Sequence, residues 1–157
     1  MDNPQLFCTF RIDGRLFGVD ILEVKEVTAE TRHTRVAHAP EEVLGLVNIR
    51  GHIYLALDLR RLLGVPASEL TSKSRLVLFK SSVGPAFGVV VDQISEIQTV
   101  DSSRIEAFAR NDHENGTTVL QRVDLIKSTC KLADDLLVVL NPKKFLALVD
   151  QKLKTIA

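Results

Sequence analysis

Residues 16–27 read LFGVDILEVKEV and residues 86–97 read AFGVVVDQISEI, so a similar stretch returns at an offset of 70 in the numbering. A second similarity follows at an offset of 83, because residues 53–63 read IYLALDLRRLL and residues 136–146 read LLVVLNPKKFL. The identical pairs in the first similarity are Phe17/Phe87, Gly18/Gly88, Val19/Val89 and Glu26/Glu96. Two similarities in the same order favour a duplicated unit of about 70 residues over chance.

Apolar side chains recur at every second position along several short runs. The clearest runs are residues 6–12, 53–59, 77–79 and 87–91. Turn-forming sequences lie between the runs, at Asp13-Gly14, Val83-Gly84-Pro85 and Asn115-Gly116. Alternation of this kind is typical of strands, and Asp-Gly between two of them predicts a type I′ hairpin. Regularly spaced short strands indicate a mainly β fold, built as barrels or as a sandwich.

The C-terminal end carries the clearest helical pattern. Asn141-Pro142 predicts the start of a helix over residues 142–153, because Asn is a favoured N-cap and Pro a favoured first helical residue. Phe145, Leu148 and Val149 follow at helical spacing and would form its buried stripe.

Other helical signals are short. Ser103 and Glu106 fit a capping box and predict a helix through Ala109. Residues 40–42 predict a single turn. Residues 66–74 are polar and lack a strand pattern, so we expect them to connect the two halves.

Composition excludes several classes of partner. Lys and Arg together number 20, as do Asp and Glu, so the formal net charge is zero. With one Tyr and no Trp, the chain lacks the basic surface and the stacking platforms of nucleic-acid-binding barrels. Cys8 and Cys130 have no metal-ligand spacing, so we expect no metal and no cofactor. Because the sequence shows neither a signal peptide nor an apolar run long enough to span a bilayer, we expect a cytoplasmic protein that does not insert into the membrane.

Catalytic patterns are missing from the sequence. GxSxG, HExxH and glycine-rich phosphate loops do not occur. The adjacent pairs Glu41-Glu42 and Asp134-Asp135 would point to opposite faces of a strand, so neither would form an acid–base dyad. We therefore expect a binding protein with no catalytic residue. A small ligand-binding β-barrel protein or enzyme is the alternative from another class, and it would need convergent polar groups in a pocket.

One arginine stands at a conspicuous position. Residues 44–60 read LGLVNIRGHIYLALDLR, in which Gly45 and Gly51 bracket a short apolar strand. Arg50 lies at the end of this strand, just before the next one. Because glycine tolerates positive φ, Gly51 would let the chain reverse while Arg50 is aimed outward. An ordinary surface arginine at a strand end is the other interpretation.

From about Leu6 to Leu148 the chain resembles the CheW-like coupling proteins of bacterial chemosensory systems. The resemblance rests on FGVDILEVKEV at 17–27, GLVNIRG at 45–51, ALDLRRLLG at 56–64, FGVVVDQISEI at 87–97 and ADDLLVVLNPKKFL at 133–146. Each stretch is weak evidence alone, but five in the right order and spacing are specific.

The resemblance implies a mainly β fold of two similar five-stranded SH3-like barrels that share an apolar core, with a short C-terminal helix. For this chain we expect one domain over 1–157. Within it, we expect a first barrel over 6–66, a second over 74–141, and a helix over 142–153 that packs back on the barrels.

The resemblance also implies an adaptor that couples chemoreceptors (methyl-accepting chemotaxis proteins) to the histidine autokinase CheA by mimicking the kinase's regulatory domain. Such a protein would be a monomer in isolation and would be recruited to receptor clusters at the inner face of the cytoplasmic membrane. The nearest alternative is an accessory regulator or cap that binds only the receptor or only the kinase.

The family's site residues map onto three groups in this chain. Glu26 and Arg50 correspond to an ion pair that would brace the receptor-facing groove. The apolar groove for a helical receptor tip is assigned to Ile21, Val24, Val27, Ile94 and Ile97, with plain core packing as the alternative interpretation. The kinase-facing surface is assigned to strand edges near the turn at Asp58, Leu59 and Arg60 and near its counterpart in the second half.

The chain departs from the family pattern at three places. Leu55-Ala56 stands where many members carry a proline, and residues 127–131 read KSTCK where many carry glycines. Residues 110–117 are polar and predict a flexible segment. These departures bear on how the chain would join a ring of kinase domains and leave the expected fold unchanged.

Overall fold

The computed structural model describes residues 3–108 and 123–156, which form a mainly β chain with a helix at the C-terminal end. The strands are β1 (Pro4–Ile12), β2 (Arg15–Asp20), β3 (Val24–Thr28), β4 (Val43–Ile49), β5 (His52–Asp58), β6 (Arg75–Phe79), β7 (Phe87–Val91), β8 (Gln93–Ile94), β9 (Gln98–Asp101), β10 (Ile105–Ala107), β11 (Ile126–Lys131) and β12 (Leu136–Leu140). The helices are α1 (Leu59–Leu62) and α2 (Lys143–Ile156), and 3₁₀ turns lie at Ile21–Glu23, Ser102–Arg104 and Val123–Leu125. The predicted fold class, mainly β with a short C-terminal helix, is confirmed.

The strands form two sheets of related layout. The five-stranded sheet has the order β3-β6-β7-β5-β4. The seven-stranded sheet has the order β10-β11-β12-β2-β1-β8, and β9 also pairs with β1. Each sheet contains one parallel pair, β5 beside β7 and β12 beside β2. The order β8-β1-β2-β12-β11 therefore repeats the order of the five-stranded sheet, and β9 and β10 are additions to it.

Each sheet contains strands from both halves of the sequence, so the sheets do not correspond to the two halves. The hairpin β1–β2 lies in the seven-stranded sheet with β8 to β12, whereas the hairpin β6–β7 lies in the five-stranded sheet with β3, β4 and β5. The expected barrel boundaries, 6–66 and 74–141, therefore do not coincide with the sheets. Alternation in sequence indicates which face of a strand is buried but not which strand pairs with it. The sequence pattern therefore does not reveal that the hairpins β1–β2 and β6–β7 are exchanged between the two sheets.

Backbone register reproduces the internal similarity of the sequence. Ala56 lies opposite Gly88 in the five-stranded sheet, and Val139 lies opposite Gly18 in the seven-stranded sheet. These are the same two positions, at the offsets of 83 and 70 that relate the sequence stretches. Each strand of the five-stranded sheet therefore has a counterpart in the seven-stranded sheet, in agreement with the duplicated unit predicted from the sequence.

The starts of the two helices repeat in the same way. Asp58 caps α1 and Asn141 caps α2, and each side chain accepts a hydrogen bond from the amide two residues on, at 3.0 and 3.2 Å. The amide of Asp58 donates to the carbonyl of Glu42 at 2.8 Å, and the amide of Asn141 donates to the carbonyl of Leu125 at 2.9 Å. The predicted N-cap at Asn141 is confirmed.

A central apolar cluster joins the two sheets and both helices. Its rings are Phe10 and Phe17 from the seven-stranded sheet, Phe79 and Phe87 from the five-stranded sheet, and Phe145 from α2. Phe145 meets Phe79 edge-on, with ring centroids 6.0 Å apart. The shared core expected from the resemblance is present, and burial of this size is the main stabilising contribution to the fold.

Each sheet also covers a smaller cluster of its own. Val47, Tyr54 and Ala56 belong to the cluster of the five-stranded sheet. Cys130, Leu137 and Val139 occupy the equivalent positions, at the offset of 83, in the cluster of the seven-stranded sheet. Strands that are buried on both faces explain why the β7 sequence is almost wholly apolar.

Helix α2 packs against the central apolar cluster. Phe145 and Val149 are buried, and Leu148 is partly buried against the central cluster. Lys152 forms an ion pair with the buried carboxylate of Glu42, which ties the helix to the connection between β3 and β4.

Local predictions had mixed outcomes. Asp13 and Gly14 both have positive φ, 54° and 79°, so the type I′ turn is confirmed. The helix predicted from Ser103 and Glu106 is wrong, because a 3₁₀ turn at Ser102–Arg104 leads directly into β10. Pairing of β10 with β11 outweighs the local helical preference. Ala109, the Asn115-Gly116 turn and the polar segment 110–117 lie outside the described residues.

Candidate functional site

The turn between β4 and β5 presents Arg50 to solvent. Arg50 and Gly51 have φ values of 51° and 87°, which makes the turn left-handed at both central positions. The side chain of Asn48 supports this turn, since its Oδ1 accepts a hydrogen bond from the amide of Gly51 at 2.8 Å. The sequence indicated positive φ at Gly51, but the structure places Arg50 in the same region as well.

Arg50 meets Glu26 across the open side of the five-stranded sheet. Its Nη2 donates to Oε1 of Glu26, which lies on β3 at one edge of the sheet, whereas β4 forms the other edge. The Arg50 side chain is 71% exposed and that of Glu26 is 26% exposed. The two residues implied by the resemblance are therefore in contact, and the role of the pair in binding stays a prediction.

Lys25 links the edge strand β3 to the interior strand β5 of the same sheet. Its Nζ donates to the hydroxyl of Tyr54 at 2.8 Å and lies 5.4 Å from the ring centroid, within the range of a cation–π contact. Tyr54 itself is buried. The Glu26–Arg50 pair therefore links the edge strand β3 to the β4–β5 turn, and the Lys25–Tyr54 contact links β3 to β5.

The five groove candidates lie where the chain passes from one sheet to the other. Ile21 and Val24 stand at the passage from β2 to β3, and both are partly buried against the central cluster. Ile94 and Ile97 stand at or just after the passage from β7 to β8. Exposure is 39% for Val27, 36% for Ile94 and 59% for Ile97. Three of the five are therefore open to a partner, and the other two pack on the core.

Further apolar side chains are exposed that the sequence patterns did not single out. Leu22 lies in the 3₁₀ turn between β2 and β3, beside Ile21, and Leu46 and Ile53 lie on the β4–β5 hairpin. Leu22 breaks the alternation of its neighbours, which is a signal that could have marked it as outward-facing.

The segment assigned to the kinase-facing surface points mostly inward. Leu59 is fully buried in the central cluster, so it lies in the core and on no surface. Asp58 is partly buried and caps α1, and burial raises the pKa of its carboxyl although the amides of Arg60 and Arg61 donate to it. The expected strand 53–59 ends at Asp58, and the helical turn that follows directs Leu59 to the interior.

Arg60 is engaged in intramolecular contacts. Its Nε and Nη2 donate to the two carboxylate oxygens of Asp92 at 2.9 and 2.8 Å, and its Nη1 donates to the carbonyl of Pro66 at 3.0 Å. Hydrogen bonding to Asp92 raises the pKa of Arg60. Burial acts to raise the pKa of Asp92, but hydrogen bonds from Arg60 and from the Asp13 amide outweigh it and leave that pKa below its ordinary value.

Residues for other kinds of chemistry do not converge in the described part of the chain. Within residues 3–108 and 123–156, no three His, Cys, Asp or Glu side chains are grouped so as to hold a metal ion. An open cavity of 500 Å³ is lined by both signs of charge, Arg35 and Arg61 with Glu41 and Asp58, and so favours neither an anionic nor a cationic ligand. No helix among the described residues is both long and apolar enough to cross a membrane.

Comparisons with known proteins agree on one family. A family model described as a CheW-like domain matches residues 6–150. The chemotaxis protein CheW of Rhizobium meliloti is 35% identical over 99 residues, and that of Bacillus subtilis is 28% identical over 98 residues. Each alignment covers 62% of this chain and 62% of the relative, which is less than two thirds of its length. Protein PilI of Pseudomonas aeruginosa is 35% identical over 89 residues, 57% of this chain and 49% of its own length.

A solved structure has the same fold. The scaffolding protein TtCheW from Thermoanaerobacter tengcongensis superposes with a TM-score of 0.75 at 24% identity, over 87% of this chain and 88% of that chain. The match confirms the expected pair of SH3-like subdomains with a C-terminal helix.

Proposed function

The chain belongs to the CheW-like family, and on this premise we propose that it is a non-enzymatic adaptor of a bacterial chemosensory pathway. It couples the helical tips of chemoreceptors to a CheA-type histidine kinase, and it takes its place beside the kinase's regulatory domain because the two share a fold. Attachment through receptors holds it at the inner face of the cytoplasmic membrane. In isolation it is a monomer.

The observation that carries the proposal is a set of exposed apolar side chains at equivalent places in the two barrels. Val27 and Ile97 are related by the offset of 70, and both side chains are exposed, at 39% and 59%. Ile94 adds a third exposed aliphatic side chain at the second passage between sheets. An apolar surface of this kind suits the apolar face of an amphipathic helix.

The Glu26–Arg50 pair lies close to this surface along the chain. Val27 follows Glu26 in β3, and the two side chains leave opposite faces of that strand. A mostly exposed guanidinium can also exchange its contact with Glu26 for a carboxylate on a partner, because both contacts use the same fork of donors. The pair is therefore compatible with a brace for the β4–β5 turn and with a charged contact to a partner.

Co-sedimentation with receptor-bearing membranes tests the proposal. The chain is expected to pellet with the membranes alone, to bring added CheA-type kinase into the pellet, and to raise receptor-controlled autophosphorylation of the kinase. A chain that pellets with neither partner would contradict the proposal.

The same experiment separates the adaptor from an accessory regulator. A cap that interrupts kinase rings would pellet with one partner only, and it would lower autophosphorylation in the presence of the authentic adaptor. Residues 127–131, which depart from the family pattern, lie in β11 and are the first place to look if this outcome is found.

A further inference from the structure

Asp92 occupies the point at which the chain changes sheets for the second time. Strand β7 belongs to the five-stranded sheet and ends at Val91, and β8 belongs to the seven-stranded sheet and begins at Gln93. Asp92 is therefore the single residue between two strands of different sheets. At the first passage, from β2 to β3, the three residues Ile21–Glu23 form a 3₁₀ turn. The second passage has the shorter connection, so its direction depends more on how one residue is held.

Both oxygens of the Asp92 carboxylate are held from two sides of the fold. Arg60 reaches it from α1 through the two hydrogen bonds described above, and its side chain is only 16% exposed. The amide of Asp13, in the β1–β2 turn of the seven-stranded sheet, donates to Oδ2 at 2.9 Å. Asp13 also contributes its carboxylate, with Oδ1 3.7 Å from the same Arg60 nitrogen. These four groups form a clamp between α1, the β1–β2 turn and the passage.

We propose that Arg60 is a positioning residue, which fixes through Asp92 the direction in which β8 leaves the five-stranded sheet and so sets the position of Ile94 and Ile97. The identity of the partner that these two isoleucines meet rests on the proposed function. The clamp itself rests on the geometry alone. Arg60 then acts on receptor binding through Asp92, without itself touching the receptor.

Other bonds also hold β8, and they define the competing explanation. Ile94 lies opposite Phe10 in the pairing of β1 with β8, and the amide of Ser95 donates to the carbonyl of Thr9 at 2.9 Å. These bonds fix β8 to β1 but not to α1. If they are sufficient, loss of the clamp lowers stability and leaves Ile94 in place.

Isoleucine methyl NMR on the full chain distinguishes the two explanations without any partner. Asp92→Asn keeps an oxygen that can accept from the Asp13 amide but removes the charge and one oxygen of the contact with Arg60. We expect the methyl resonances of Ile94 and Ile97 to shift while that of Ile49, on β4, stays in place. The matched control is Arg61→Gln, which breaks the Arg61–Glu41 contact of 3.2 Å on the same short helix and should leave all three resonances unchanged. Unshifted Ile94 and Ile97 resonances in folded Asp92→Asn would overturn the clamp.

Binding measurements then test its consequence. The probes are the cytoplasmic fragment of a chemoreceptor and the regulatory domain of a CheA-type kinase, each titrated calorimetrically. For Asp92→Asn we expect the Kd for the receptor fragment to rise about tenfold and the Kd for the kinase domain to change by less than about twofold, in the range of coupling between neighbouring groups. The exchanged pair Arg60→Asp with Asp92→Arg should recover part of the receptor affinity.

The outcomes separate the two proposals. Equal weakening of both partners would mean that the clamp affects stability alone, and it would overturn the positioning role. If the wild-type chain does not bind the receptor fragment, the proposed function fails, and the methyl resonances still decide whether the clamp sets the position of Ile94.

Discussion

Arg50 adopts a backbone conformation that glycine would adopt at lower cost. Left-handed φ costs a non-glycine residue about 1–2 kcal/mol, whereas a solvent-exposed ion pair contributes only about 0–1 kcal/mol. Arg50 has φ 51° and is mostly exposed in its contact with Glu26. The pair therefore does not stabilise the fold enough to explain an arginine at this position, which favours a role in binding.

Replacement of Arg50 tests that role. In Arg50→Glu, repulsion from Glu26 replaces a weak exposed attraction, so the free energy of unfolding should change by less than about 1 kcal/mol. Co-sedimentation with receptor-bearing membranes should be lost. Urea denaturation and the pelleting assay measure the two effects.

Arg50→Gly serves as the control without a new negative charge. It should relax the turn, keep or slightly raise stability, and also lose receptor binding. Wild-type receptor binding by the folded Arg50→Glu protein would contradict the assignment of this pair to the receptor-facing site.

The pH dependence of stability reports on Asp92. Because its folded pKa lies below the ordinary value, the carboxylate contributes stability above about pH 3.9, the unfolded pKa, and this contribution is lost as the pH falls through the folded pKa. At pH 7 Asp92→Asn should be less stable than wild type by about 1–2 kcal/mol, since a charged hydrogen-bonding partner of Arg60 is lost.

Denaturant midpoints of both proteins between pH 7 and pH 2.5 check this expectation. The difference between wild type and Asp92→Asn should be constant near neutrality and should shrink below about pH 4. A difference that persists unchanged at the lowest pH would show that the charge of Asp92 is not what stabilises the contact.

At the residue scale, the contact between Glu26 and Arg50 was predictable from the resemblance, whereas the burial of Leu59 was not. The contact between Glu26 and Arg50 followed from the resemblance, because no spacing rule brings β3 to the β4–β5 turn. Leu59 was expected at the surface. A helical turn after the Asp58 cap directs it to the interior instead, and alternation along β5 does not indicate where that turn begins.

Among the elements, the strands were predictable because the alternation of apolar side chains along them is strong. Glycines within the strands mark places where neighbouring strands pack closely. A Cβ at Gly88 would meet the carbonyl oxygen of Val77 on the neighbouring strand β6, and a Cβ at Gly18 would lie 3.1 Å from the carbonyl oxygen of Cys8. The two glycines occupy equivalent positions, yet the space beside Gly88 is tighter. The duplicated elements have therefore diverged in how closely their strands approach.

Alanine at these two positions should reveal the divergence. Gly88→Ala must push β6 and β7 apart in the middle of a sheet, so we expect a loss of roughly 3 kcal/mol in the free energy of unfolding, at the upper end for overpacking. Gly18→Ala, the matched control, should lose about 1 kcal/mol because a few tenths of an ångström suffice. Urea denaturation measures both, and an equal or reversed ranking would contradict the difference in packing.

The short β10 marks the limit of prediction from local sequence. Ser103 and Glu106, around the start of β10, fit a capping box, and an N-cap does form there. The capping side chain is Asp101, however, whose Oδ1 accepts a hydrogen bond from the Ser103 amide at 3.0 Å. A few positions further on, the chain is already paired with β11. Local propensity is worth a few tenths of a kcal/mol per residue, which pairing and burial readily exceed.

At the scale of the whole molecule, the exchange of hairpins determines how the chain folds. Each sheet takes strands from both halves of the sequence, and the parallel pairs β5–β7 and β12–β2 join the halves. The repeat in sequence predicted two similar units, but the pairing of strands that lie far apart in the chain is not encoded in any local pattern. The exchange could therefore not be predicted from the residues alone.

A cut in the exposed connection tests this architecture. Fragments 1–70 and 71–157 should each be largely unfolded alone, because either one leaves both sheets incomplete, and they should regain β structure when mixed in equal amounts. Far-UV circular dichroism and amide NMR spectra follow the assembly. A folded barrel in fragment 1–70 by itself would contradict the exchange.

The same exchange restricts how members of this family can recombine. A crossover in the connection at residues 66–74 would join the first half of one parent to the second half of another, and both barrels of the hybrid would then be mosaics of the two parents. Such a crossover would alter the surfaces of both barrels at once, because each barrel would combine strands from both parents. Under the proposed function, a new receptor preference combined with an old kinase preference is expected to arise through point substitutions, and not through exchange of whole barrels.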